Sequence, residues 1–66
     1  MKIMDYRWLR NPSGHIWSYL SSEDITRGTV VKEGEKEYHA WGISDPWGIF
    51  RTLREAKRKV EINVGK

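Results

Sequence analysis

Sixty-six residues lie near the lower limit for a chain that folds alone, and the absence of cysteine excludes disulfides and thiolate metal sites. Dense aromatic packing is the remaining supplement to a small core, and four Trp, three Tyr and one Phe can supply it. Twelve Lys and Arg against nine Asp and Glu give +3, which mildly favours an acidic partner.

Residues 1–7 hold no apolar run long enough for a signal peptide or a membrane span. A cytoplasmic chain with no membrane partner is expected, in keeping with the lack of cysteine. Residues 4–10 alternate as a strand, with Met4, Tyr6 and Trp8 on one side and Asp5, Arg7 and Leu9 on the other. Asn11-Pro12-Ser13-Gly14 reads as a tight turn. Residues 15–20 then resume the alternation, His15, Trp17 and Tyr19 opposite Ile16, Ser18 and Leu20. The two runs make an aromatic-rich hairpin.

Ser21-Ser22-Glu23-Asp24 is polar enough for a loop. The β-branched cluster Ile25, Thr26, Thr29, Val30 and Val31 marks a third strand, in which Gly28 signals a bulge or a close backbone approach. Glu33-Gly34-Glu35 reads as the next turn. Residues 37–43 alternate again, Tyr38, Ala40 and Gly42 opposite His39, Trp41 and Ile43. Ser44-Asp45-Pro46-Trp47-Gly48 reads as a further turn, and Ile49-Phe50-Arg51 as a short strand.

Thr52-Leu53-Arg54-Glu55 fits a capping box, the Thr oxygen accepting from the Glu55 amide and the Glu carboxylate from the Thr amide. Leu53, Ala56 and Val60 follow at helical spacing, Val64 can extend the stripe, and Gly65 is a natural stop. The elements add up to an α+β fold in one domain: an antiparallel β-meander of four to five strands packed against one C-terminal α-helix.

The segments Gly28-Thr29-Val30-Val31-Lys32, Tyr38-His39-Ala40-Trp41 and residues 47–61 together resemble a pattern of small phage and prophage accessory proteins. In those, a strand with a central aromatic leads through a Gly-aromatic step into a Thr-Leu-x-Glu-Ala-Lys-x-x-Val-Glu helix. The resemblance covers about half the chain. It implies a mobile-element origin, residence in the host cytoplasm and a sheet-plus-helix fold, and it carries over no catalytic residue.

Candidates for an acid, base or nucleophile are His15, His39, Ser13, Ser18, Asp24 and Asp45, scattered over separate turns and strands. No phosphate loop, metal motif or nucleophile elbow joins them, so a non-enzymatic protein without a cofactor is expected. The charge distribution is more informative. Residues 51–66 hold six basic and two acidic residues, net +4, whereas residues 23–37 hold three basic and five acidic, net −2.

On the helix, Arg54, Arg58 and Lys59 flank the outside, Lys57 borders the apolar stripe and Arg51 precedes the cap. Such a face can neutralise the phosphates of DNA or RNA. The plainer reading is a solvated surface in which Glu55 pairs with Lys59 at i,i+4. The hairpin offers a second surface. If its aliphatic side packs on the helix, Trp8, Trp17 and Tyr19 face outward near Arg7 and Arg10, suited to stacking on bases or anchoring a protein partner. If the aromatic side packs on the helix, those rings are core. Alternation allows both. The expectation carried forward is that Trp41 is core and at least one of Trp8 and Trp17 is not. Two partner classes follow, nucleic acid or a host protein inhibited by occlusion. A homodimer that buries the aromatic face against itself is the third arrangement.

Overall fold

The computed structural model describes residues 5–65, so the strand expectation at Met4 and the cation of Lys66 lie outside the described residues. Five strands, β1 (Tyr6–Arg10), β2 (Ile16–Ser21), β3 (Thr26–Gly34), β4 (Glu37–Trp41) and β5 (Pro46–Phe50), precede helix α1 (Leu53–Val64). They form one antiparallel sheet in the order β1-β2-β3-β4-β5, and α1 packs across β3, β4 and β5. This is the expected α+β meander.

Local chemistry accounts for most of the turns. Between β1 and β2 the Asn11 side chain accepts from the Ser13 amide at 2.9 Å, and Gly14 takes a φ of +80°. Between β2 and β3 the Ser21 carbonyl accepts from the Asp24 amide at 2.9 Å, and Asp24 sits at a φ of +63°, a region that Asp tolerates better than most residues. The β3–β4 turn departs from expectation. Strand pairing continues to Gly34 opposite Glu37, so the turn is Glu35-Lys36, later than the glycine suggests.

β4 ends at Trp41 rather than Ile43, and β5 begins at Pro46 rather than after Gly48. Proline is tolerated there because it opens an edge strand, where its missing N–H removes no ladder bond. The register shifts between Ala40 and Trp41: Trp41 opposes Pro46 and Ala40 opposes Gly48, leaving Trp47 as the extra residue of a bulge. The bulge turns Trp47 onto the core side. A second bulge, around Arg27, lies opposite the Tyr19–Leu20 step.

α1 is capped as its sequence demands. The Thr52 hydroxyl oxygen accepts from the Glu55 amide at 3.1 Å, while the hydroxyl itself donates to Glu55 Oε1 at 3.1 Å, so the carboxylate meets the Thr side chain instead of its amide. The Gly65 amide closes the other end on the Glu61 carbonyl at 3.0 Å.

The core is Trp17, Val30, Ala40, Ala56 and Val60, flanked by half-buried Leu53, Val64, Trp47 and Phe50. Val30 and Val60 are fully buried, each worth about 1.5–3 kcal/mol relative to exposure. Gly28 and Ala40 explain why the helix lies where it does. Both are buried on the α1 side, and a Cβ on Gly28 would collide with Val60 Cγ1. Small residues on β3 and β4 let the Ala56–Val60 face come close, whereas the rings of Trp8, Trp17 and Tyr19 on β1 and β2 form a wall beside it.

Candidate binding surfaces

The aromatic side of the first hairpin is the α1 side. Strand register places Tyr6, Trp8 and Arg10 opposite Ser21, Tyr19 and Trp17 on that face. Tyr6 stacks on Tyr19 with centroids 5.2 Å apart, Trp8 lies 4.7 Å from Tyr19, and Trp17 lies 6.1 Å from Tyr38. The arrangement in which the aliphatic side packs on the helix is therefore overturned.

Trp17 is only 8% exposed and belongs to the core, which removes it from the candidate contact residues. Trp8 and Tyr19 are half-buried and remain at the surface beside the helix. The Trp8 indole N–H donates to Glu61 Oε2 at 2.9 Å, and Lys57 Nζ stands 5.1 Å from the Trp8 ring centre. Burial, with lesser contributions from Glu61 and Tyr6, raises the Tyr19 hydroxyl pKa above its usual value of 10.0. Trp8 and Tyr19 thus form a strip continuous with one flank of α1.

The candidate arginines divide. Arg10 is exposed on the aromatic side of β1, its guanidinium lying against Gly14. Arg7 has the opposite parity, stands on the other face and pairs with Asp24, so it does not accompany the aromatic strip. On and before α1, Arg51, Arg54 and Arg58 are exposed, and Lys57 and Lys59 are half-buried. Among the described residues Arg7 forms an ion pair with Asp24, and the His39 ring hydrogen-bonds the Glu37 carboxylate at 2.6 Å. The expected Glu55–Lys59 pair does not form, because the Glu55 carboxylate is engaged by Thr52. Arg51, Arg54, Lys57, Arg58 and Lys59 therefore stand without a carboxylate partner among the described residues.

No family model, curated protein or solved structure matches this chain.

The face away from α1 was missed by sequence reasoning, which looked for exposed rings on the first hairpin. It carries Leu9 at 56% exposure, Ile49 at 64% and Trp41 at 39%. Trp41 is thus a surface residue, against the expectation that it is core: it follows Ala40 in the alternation, and Ala40 points at the helix. The parity of Gly28 and Ala40 was the available signal. A helix docks over small residues, so their strand neighbours Thr29 and Trp41 must face the other way. On the aromatic side α1 covers β3, β4 and β5 and leaves Trp8 and Tyr19 of the first hairpin beside it.

Among the described residues no helix is long and apolar enough to cross a membrane, and no three His, Asp or Glu side chains converge to hold a metal.

Proposed function

We infer that this chain is a small non-enzymatic binding protein of phage or mobile-element type that holds nucleic acid on the outer face of α1. The observation that carries the reading is the run Arg51, Arg54, Lys57, Arg58 and Lys59, none of which is paired with a carboxylate among the described residues. A cluster of surface cations left without carboxylate partners is a ready site for phosphates. Trp8 and Tyr19 lie beside the Lys57 flank, where an unpaired base could stack.

Retention on DNA and RNA at low salt tests the reading. Arg54→Glu, Arg58→Glu and Lys59→Glu together should abolish retention while leaving the melt unchanged. Wild-type binding should weaken by about 0.9 log units per log unit of salt for each duplex phosphate contacted. A wild type that binds neither nucleic acid at low salt would end the proposal.

A second reading, stoichiometric inhibition of a host protein, is favoured by the apolar face around Leu9, Trp41 and Ile49. Pull-down from host lysate with and without nuclease separates the two, since only the nucleic-acid reading loses its captured material to nuclease.

A further inference from the structure

The sheet face away from α1 is unused by the nucleic-acid reading. Antiparallel sheets with one solvated face commonly alternate apolar-in and polar-out. Here the outward positions of all five strands include Leu9, Ile16, Val31, Trp41 and Ile49. We propose that two copies of this chain pack these faces together, sheet on sheet, about a two-fold axis running along β3.

Charge is the first argument for a second copy as the occupant. Arg7 at one corner of the face is paired with Asp24, and His39 is paired with Glu37. The row between them, Leu9, Ser18, Thr29, Trp41 and Pro46, is uncharged, so two chains of +3 meet there without like charges in contact. The unpaired cations of α1 lie on the far side of each sheet. With sheets about 10 Å apart and a helix about 10 Å beyond each, the two basic faces are roughly 30 Å apart. That distance is several times the Debye length of about 8 Å at physiological salt.

Shape is the second argument. The pairing register sets Leu9, Ser18, Thr29, Trp41 and Pro46 side by side across the five strands. A two-fold axis along β3 brings Thr29 over the second copy's Thr29. It also places Trp41 over the second copy's Ser18, and Leu9 over its Pro46. In the next row Val31 meets its own counterpart. The largest ring on the face therefore meets the smallest side chain in its row, twice, by symmetry. The usual offset of about 30° between stacked sheets moves the edge strands and leaves the contacts on the axis in place.

Area is the third. Five strands about 4.8 Å apart, with about 20 Å along each, offer near 500 Å2 per copy, or on the order of 1,000 Å2 for the pair. That is about the 1,000 Å2 a biological interface needs and below the standard size, the range of weak, concentration-dependent association.

Sedimentation equilibrium of the full chain from micromolar to millimolar concentration tests the proposal. The expected result is a rise from the 7.8 kDa monomer to twice that mass. Ile49→Lys and Leu9→Lys, both at well-exposed positions, should each weaken association about 30-fold or more, with unchanged melts in dilute solution. The triple helix reversal should leave the dimer intact, so loss of nucleic-acid binding and loss of dimerisation are read separately. Because the chain has no cysteine, Thr29→Cys should yield covalent dimers with a short bis-maleimide cross-linker, whereas Arg58→Cys should not. A constant 7.8 kDa mass at every concentration would overturn the proposal. A dimer indifferent to both lysine variants, or a monomer that uses Trp41 to hold a different protein, would do the same.

Discussion

On one side of the sheet Trp17 is 8% exposed and Ala40 1%, while on the other Leu9 and Ile49 are more than half exposed, although both sets come from the same alternating strands. Hydrophobicity alone does not separate the two faces. Close approach does. The α1 side holds Gly28 and Ala40, over which Ala56 and Val60 can settle, while the other side has Thr29, Val31 and Trp41 at the neighbouring positions. A small domain can thus leave an apolar sheet face free of its own helix because that helix fits the opposite face better.

Tryptophan truncation puts the contrast between the faces to its most forceful test. Trp17→Ala should cost about 3–5 kcal/mol, enough to unfold a domain this small. Trp41→Ala should cost about 1 kcal/mol or less in dilute solution. Chemical denaturation measures both. Equal losses would mean that the two faces are equally buried and that the helix does not distinguish them.

Gly28→Ala probes the same contrast from the helix side. The new Cβ collides with Val60 Cγ1, and Val60 is fully enclosed, so a loss of about 1–3 kcal/mol is expected. Combining it with Val60→Ala removes the clashing methyl. The pair should therefore destabilise by less than the sum of the two single variants. Strict additivity in that cycle would show that the helix does not rest on Gly28.

The smallest effect concerns Tyr19 at the border of the α1 side. Its pKa is raised in the folded chain, chiefly by burial, so the folded state holds the hydroxyl proton more tightly than the unfolded state does. Its contribution is fully present below the unfolded value of about 10 and is lost as pH rises through the folded value. Stability should decline above about pH 10, and Tyr19→Phe should flatten part of that decline relative to wild type. An unchanged slope in the variant would place the hydroxyl in water instead of against Glu61 and Tyr6.

Much of the site was legible only in relative terms. Alternation placed Trp8 with Tyr6 and Trp17 with Tyr19 on shared faces, and the register agrees. It also separated Arg7 from Trp8 by parity, although the expectation of a joint aromatic-basic surface set that aside. Trp47 could not be placed by alternation, because the bulge opposite the Ala40–Trp41 step inserts it out of phase. Glu55 could satisfy either Thr52 or Lys59 from its spacing, and its carboxylate accepts from the Thr52 hydroxyl, whose oxygen in turn accepts from the Glu55 amide.

An antiparallel meander of four to five strands, the capped helix, the companions on each face of the first hairpin and the basic run from Arg51 to Lys59 all follow from local geometry and spacing, and one chain of letters was enough to find them. Which face meets the helix emerged only in three dimensions, and with it the burial of Trp17 and the exposure of Trp41. A strand's period of two dictates which side chains share a side but not which side is covered. That choice rests on where a helix can approach most closely, and here the space above Gly28 and Ala40 supplies it.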